Sequence, residues 1–235
     1  MLATQHVLVI NPNTSASVTE RLMLQLSTGL PEVQIHGGTA PFGAPYIADE
    51  YSYCVAGHAV LQAWEHAREL APAPGYGAVL VGCFGDPGLE ALREVTAAPV
   101  LGLAEASVRC MAQQGFARIG ILTGGAQWKP MLERWSRASG YAHPDAMPHI
   151  AQIQTLPATG LELMQSPDAT AQALAQASAA MLRSAGVQAV LLGGAGLAGM
   201  GARVRGSSGL PVWDCVEAAQ QCMQQVLQAP RRAVH

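Results

Sequence analysis

The chain has 235 residues, of which 50% are hydrophobic and 12% are charged, and its formal net charge is −3. This length suits one large α/β domain or two smaller ones, and the composition excludes a disordered or fibrous protein. The charge forms no basic stripe, which argues against nucleic acid as the main partner. No run approaches the roughly 18 apolar residues of a membrane span, so no membrane partner is expected.

The first part of the chain alternates short apolar runs with helix-like patterns. Strands are predicted at 6–10, 33–36, 79–81 and 100–102, and helices after Ser15 and over 49–71, 89–94 and 104–114. The run at 6–10 begins so early that a signal peptide is not expected. The Gly- and Pro-rich stretch from Ala40 to Ile47 is predicted to be a loop that folds over a site.

The second part of the chain repeats this alternation. Strands are predicted at 118–122, 150–156, 188–192 and 211–213, and helices around Met131–Trp135 and over 168–184 and 215–227. Strands that alternate with helices of this length predict parallel sheets with helices on both faces.

The two parts match each other at a nearly constant spacing. Ile10-Asn11 corresponds to Leu122-Thr123 after 112 positions, and Gly82–Gly85 corresponds to Gly193–Gly196 after 111 positions. A strand and the helix that follows it recur in the same way. We therefore predict an α/β fold of two pseudo-symmetric, doubly wound halves, each with a mainly parallel sheet flanked by helices. Ligands of open α/β sheets bind beyond the carboxyl ends of strands, which predicts a site between the halves.

The spacing also predicts a division of the chain. The first half takes residues 1–105 together with part of the C-terminal segment 214–235, and the second half takes residues 106–213, with the two halves exchanging segments at approximate boundaries.

Five cysteines without metal-type spacing favour a reducing compartment, and the seven histidines show no paired ligand spacing. We expect a cytoplasmic protein with no metal site. Apolar helical stretches such as Leu61–Trp64 suggest a homo-oligomer.

Cys83 is the chemical centre that the sequence predicts. It follows a buried strand and precedes a helix-like pattern, and both features favour a thiolate. The alternative is a buried structural cysteine. By the internal match, Cys83 faces position 194, where a second acid/base would allow a stereocentre to be inverted. That position is Gly194, so the sequence does not supply the second base.

The sequence also suggests roles for other residues near the strand ends. Asn11 and Thr123 are predicted to donate hydrogen bonds to substrate oxygens, or else to be cap or turn residues. Asp86 is predicted to cap the helix after Cys83. Cys215 either replaces the missing base or is a capping-turn residue. The paired glycines at 124–125 and 193–194 form neither GxGxxG nor a P-loop, so no nucleotide cofactor is expected.

At these residues the chain resembles the aspartate/glutamate/hydantoin racemase superfamily, and within it the hydantoin/allantoin racemase branch. The stretches that carry the resemblance extend from residue 7 to about residue 218 and are Val9–Ser15, Phe42–Ile47 with Tyr51, Cys83–Gly88, Gly102–Ala106, Ile121–Thr123 and Leu192–Gly196. The resemblance implies a cofactor-independent mechanism with two cysteines on two pseudo-symmetric halves.

The resemblance also implies roles for individual residues. Cys83 matches the first catalytic cysteine, Gly194 stands at the position of the second, and Tyr46 stands where the branch usually has a small residue. The expected substrate-binding residues are Asn11, Tyr46, Phe84, Gly85, Thr123, Ala195 and Gly196.

Three functions are compatible with these observations. The first is a cofactor-independent racemase of hydantoin- or allantoin-like amino-acid derivatives that uses Cys83 and is impaired by the lack of a second cysteine. The second is a decarboxylase that uses Cys83 alone to protonate an enolate, as arylmalonate decarboxylases of the same superfamily do with a single cysteine. The third is a small-molecule binding protein that has lost turnover.

Overall fold

Two four-stranded parallel sheets form the framework of the computed structural model, which describes residues 5–184 and 186–229. The first sheet contains β1 (Gln5–Asn11), β2 (Val33–Thr39), β3 (Ala78–Val81) and β4 (Val100–Gly102). The second contains β5 (Arg118–Gly124), β6 (His149–Leu156), β7 (Ala189–Leu192) and β8 (Val212–Asp214). The strand orders are β2-β1-β3-β4 and β6-β5-β7-β8, so one topology occurs twice. The predicted α/β fold with two matching parallel sheets is confirmed.

Helices connect the strands and cover the sheets. They are α1 (Ala16–Gly29), α2 (Glu50–Glu69), α3 (Leu89–Val95), α4 (Leu103–Gln113), α5 (Trp128–Ala138), α6 (Gly160–Gln165), α7 (Pro167–Leu182), η1 (Ala195–Leu197), α8 (Met200–Ser208) and α9 (Cys215–Gln228). The sequence patterns did not predict α6, η1 or α8, which are short or rich in glycine and serine. Within the described ranges, no helix has the length and apolarity that crossing a membrane requires.

The same ion pair occurs in both halves and ties the last strand of each sheet to the helices beside it. In the first half, the Arg93 guanidinium donates to the Val100 carbonyl and to the Glu105 carboxylate. In the second half, Arg205 donates to the Val212 carbonyl and to the Glu217 carboxylate. Each of these residues follows its counterpart by 112 positions. The repeat in the sequence is therefore also a repeat of contacts.

Asp86 caps a different helix from the one predicted. Its carboxylate accepts from the backbone amides of Ala104 and Glu105, at 2.8 and 2.9 Å, and so caps α4. Helix α3, the expected target, has Gly88 in the left-handed conformation as its N-cap. The chain between Cys83 and α3 turns the Asp86 side chain away from its own helix and onto the next one.

Replacing Gly102 by alanine is expected to lower the free energy of unfolding by about 2 to 4 kcal/mol, because an added methyl group would overlap the Asp86 carboxylate and disturb the α4 cap. Urea unfolding measures the change. The control is Gly206→Ala in α8, where no heavy atom lies within 4 Å of the added carbon. That variant is expected to be more stable by up to about 1 kcal/mol. Equal stability of the two variants would contradict the packing described here.

Helix α9 follows the second sheet but packs against α4 and α1, which flank the first. At this contact the Cys110 thiol donates to the side-chain carbonyl of Gln221 at 3.2 Å. The predicted division into 1–105 with part of 214–235, and 106–213, stays a prediction, and its residues 1–4 and 230–235 lie outside the described residues.

The stretch Leu61–Trp64, suggested as a subunit contact, belongs largely to the core. The Trp64 side chain is only 8% exposed and packs beneath α2 against the first sheet. Trp64 therefore offers no apolar surface to a second copy, and the homo-oligomer stays a prediction.

Candidate active site

Strands β3 and β7, which occupy the same position in the two sheets, end in the same kind of turn. Cys83 follows β3, and the Asp86 amide donates to the Cys83 carbonyl at 3.1 Å. Gly194 follows β7, and the Leu197 amide donates to the Gly194 carbonyl at 2.9 Å. Because β3 and β7 are buried along their whole length, these turns are fixed on rigid supports. A cavity of about 60 Å³ lies between them.

The cavity brings together seven of the nine predicted site residues, which are Tyr46, Cys83, Phe84, Thr123, Gly194, Ala195 and Gly196. Apolar side chains, among them Val18, Trp128 and Leu197, form much of its wall. Among the lining residues that the structure describes there is no Asp, Glu, Lys, Arg or His, and the ionisable side chains are those of Cys83 and Tyr46. The site is therefore an uncharged pocket around one thiol.

The electrostatic state of Cys83 differs from the prediction. Its half-buried thiol lines the cavity, but burial, with a further contribution from the Asp86 carboxylate, raises its pKa well above the ordinary value for cysteine. The predicted stabilisation of a thiolate by α3 is wrong, since desolvation in an apolar cavity dominates. At neutral pH the resting group is a thiol that can donate a proton.

Gly194 has no side chain, and its backbone also has a conformation that a cysteine rarely adopts. Its φ of 110° lies in the left-handed region that favours glycine. The space itself is open, because an added Cβ would meet only the Thr123 hydroxyl oxygen, at 3.6 Å. The position expected for a second thiol thus carries no side chain and is shaped for glycine.

Cys215 lies beneath Gly194 rather than in the cavity. It is the first residue of α9, its side chain is 0% exposed, and its sulfur accepts from the Gly194 amide. Burial and the neighbouring Asp214 raise the pKa of this thiol. The Gly194 backbone separates Cys215 from the cavity, so the structure gives no support to Cys215 as a replacement base.

Thr123 lines the cavity, and its hydroxyl hydrogen already forms a hydrogen bond within the protein. The hydroxyl donates to the Gly193 carbonyl at 2.8 Å and is buried. Its oxygen is therefore positioned to accept a hydrogen bond, and its predicted role as a donor to substrate is wrong in this conformation. An N–H group of a ligand is the partner that this arrangement suits.

Asn11 does not line the cavity. Its side-chain NH₂ group donates to Asn13 Oδ1 at 2.9 Å and to the Ser15 backbone carbonyl at 3.0 Å. Its side-chain oxygen Oδ1 accepts from the Asn13 backbone amide at 3.2 Å. Asn11 thus organises the turn between β1 and α1, and its predicted contact with substrate is not supported. Asn13 lines the cavity in its place. The sequence patterns did not select Asn13, although it is the second asparagine of the same Asn-Pro-Asn string.

Phe84 and Gly85 lie on different sides of the Cys83 turn. The Phe84 ring lines the cavity, and its closest ring atom would lie 2.6 Å from a Cβ at Gly193. Gly85 adopts a left-handed φ of 127°, lies outside the cavity, and accepts from the Tyr53 hydroxyl through its carbonyl. The expected contact between Gly85 and substrate is therefore not supported.

Trp128 and Met164 belong to the site although no sequence pattern pointed to them. Both come from segments that follow strands of the second sheet, and both line the cavity. Trp128 is the first residue of α5, and it is only 8% exposed. Only the folded chain shows that this core position also faces the cavity.

Comparison with known proteins identifies the family and the fold. The model of the Asp/Glu/hydantoin racemase family matches residues 7–223. A hydantoin racemase from a Pseudomonas species is 31% identical over 211 residues, which cover 89% of this chain and 81% of that protein. The crystal structure of allantoin racemase from Pseudomonas fluorescens superposes with a TM-score of 0.82 at 25% identity and covers 98% of this chain and 99% of that one.

A second similar structure is more distant in sequence. It is a variant of arylmalonate decarboxylase in which a glycine is replaced by cysteine and a cysteine by serine. It superposes with a TM-score of 0.69 at 13% identity and covers 99% of this chain and 96% of that one. At this identity, the similarity shows a shared fold.

Proposed function

This chain belongs to the Asp/Glu/hydantoin racemase family, and from that premise we propose that it is a cofactor-independent isomerase of hydantoin- or allantoin-like amino-acid derivatives. Cys83 is proposed to remove and return the proton at the stereocentre of the substrate. The observation that carries this proposal is the position of Cys83, an ionisable thiol on the wall of a cavity whose described lining holds no formal charge.

The polar groups of the cavity suit a neutral ring. The Thr123 oxygen is available to accept from a ring N–H group. In the described part of the chain, the amides of Phe84 and Ala195 donate to no protein acceptor and are available to a ring carbonyl. Such donors stabilise the negative charge that develops on oxygen when the stereocentre loses its proton. A free amino acid would bring a carboxylate for which the described lining has no counter-charge.

The two faces of the substrate meet different chemistry. On one side is Cys83, which rests as a thiol and must first give its proton to water; the resulting thiolate then takes the proton of the stereocentre, and the thiol so formed returns it. On the other, Gly194 has no side chain, and the Thr123 proton is held by the Gly193 carbonyl. Proton exchange on the Cys83 face is therefore expected to be faster than inversion, which needs a proton from water.

One observation favours a second candidate, a decarboxylase. A single thiol that rests protonated is suited to donate a proton to an enolate. In that reaction a substrate carboxylate leaves as CO₂, its electron pair remains as the enolate, and the Cys83 S–H proton forms the new C–H bond. Water then reprotonates the thiolate.

Four substrates distinguish these functions when they are incubated with the protein: an enantiopure 5-substituted hydantoin, allantoin, a free amino acid and an arylmalonate. Proton exchange or loss of optical rotation with hydantoin or allantoin, and none with the amino acid, is the expected result. Release of CO₂ from the arylmalonate alone would favour the decarboxylase. Binding of these compounds without any turnover would contradict both and favour a binding protein.

A further inference from the structure

Tyr46 covers part of the cavity from a loop that connects β2 to α2. The loop is attached at three points: the Ala40 amide donates to the Asn11 carbonyl at 2.9 Å, the Thr14 amide donates to the Ala44 carbonyl at 3.1 Å, and Asp49 caps α2. Between the last two points, Tyr46 places its ring against the cavity. The rest of the described wall comes largely from strands, helices and the turns directly attached to them.

The Tyr46 hydroxyl joins this loop to the second half of the protein. It accepts from the Gly160 amide, the first residue of α6, at 3.0 Å, and it interacts with the Trp128 side chain. The approach to Gly160 is so close that a Cβ there would lie 3.1 Å from the Tyr46 hydroxyl oxygen. A residue of the first half is therefore held across the cavity by a hydrogen bond to the second half.

The cavity beside Cys83 has a volume of about 60 Å³ and is partly open to solvent. The opposite walls include Phe84 and Leu197, which are 3% and 2% exposed and packed in the core. The loop wall is thus the one that can yield when a ligand enters.

We propose that Tyr46 is the gate of this site and sets the upper size of the substituent that the site accepts. Release of its hydrogen bond to Gly160 widens the cavity, and its ring in the bonded position restricts the space beside Cys83. The choice of hydantoins as probes of substituent size rests on the proposed function, but the gating itself does not.

Alkylation of Cys83 by a small and a bulky reagent tests the gate without any substrate. Iodoacetamide and its N-phenyl derivative are compared, and the modified Cys83 peptide is quantified by mass spectrometry. Tyr46→Ala is expected to raise the rate of the bulky reagent relative to the small one by about 10-fold. Tyr46→Phe keeps the ring but loses the hydroxyl, so it is expected to speed both reagents without changing their ratio.

Two controls accompany the test. Phe42→Ala alters the same loop at a side chain that packs against His58 outside the cavity, and it is expected to leave both rates unchanged. Cys54, an exposed thiol, gives the reference rate in every variant. A ratio for Cys83 that is the same in wild type and in folded Tyr46→Ala would overturn the gate, as would Tyr46→Phe leaving both rates at the wild-type value.

The same variants are then assayed with 5-methyl- and 5-benzylhydantoin. Tyr46→Ala is expected to raise kcat/KM for the benzyl compound relative to the methyl compound by about 10-fold. An unchanged ratio would overturn the role of Tyr46 in substrate size. If no variant exchanges the proton of either hydantoin while the alkylation ratio shifts as expected, the proposed function fails and the gate stands.

Discussion

Replacing Cys83 by alanine is expected to lower the rate of proton exchange at the stereocentre of a hydantoin by about 10²- to 10⁴-fold, the contribution that a positioned acid/base makes. The reason is structural: the described lining of the cavity has no other ionisable side chain except Tyr46, whose pKa is raised by burial. Exchange is followed by the loss of the C–H signal in D₂O with NMR spectroscopy.

The control for this variant is Cys54→Ala, which removes an exposed thiol in α2 and is expected to leave the rate unchanged. Unfolding in urea shows whether Cys83→Ala keeps its fold. If the folded Cys83→Ala variant exchanged the proton within a few-fold of the wild-type rate, Cys83 would not be the acid/base.

Replacing Gly194 by cysteine is expected to raise the rate of inversion relative to exchange by about 10-fold or more, because a thiol then faces Cys83 across the cavity. The open space around Gly194 admits the side chain, but the left-handed φ of 110° opposes it. We therefore expect a loss of about 1 to 3 kcal/mol in the free energy of unfolding. The same backbone strain is expected to limit the increase in the rate of inversion.

Gly194→Ala separates the two effects. It introduces the same backbone strain without a thiol, so it is expected to show the same loss of stability and no gain in inversion. Both variants are compared by urea unfolding and by optical rotation. If Gly194→Ala and Gly194→Cys inverted the substrate equally fast, the effect would come from the backbone and not from a second base.

The fold could be predicted from the sequence because periodic signals determine it. Strand runs such as Val79–Val81 are continuous apolar segments, and their spacing recurs after 111 or 112 positions in the second half. A structural repeat requires the same packing twice, so the pattern predicts both sheets and the position of Cys83 opposite Gly194. Helix α6 was missed because its 6 residues are too few for a periodic pattern.

The hydrogen-bond partners of the site could not be predicted in the same way. Thr123 and Asn11 have the correct residue type at a strand end, but their polar atoms are engaged by the Gly193 carbonyl and by the β1–α1 turn. Asp86 caps a helix 18 residues further along the chain. Such choices depend on which groups the fold brings together, and a local pattern carries no information about them.

The pKa of Cys83 shows the same limit. A strand end followed by a helix favours the thiolate, whereas burial in an apolar cavity opposes it, and the sequence shows only the first effect. The balance depends on the loop that carries Tyr46, on Phe84 and on the Asp86 carboxylate, which come together only in the folded chain.

The proposed mechanism rests on one thiol that acts on one face of the substrate. Its most direct test is to incubate the wild-type protein with an enantiopure 5-substituted hydantoin in D₂O and to follow deuterium incorporation and optical rotation together, with the uncatalysed rates subtracted. We expect deuterium incorporation that clearly precedes any loss of rotation. Incorporation and loss of rotation at equal rates would contradict this mechanism, because a second acid would then have to act on the face that Gly194 occupies.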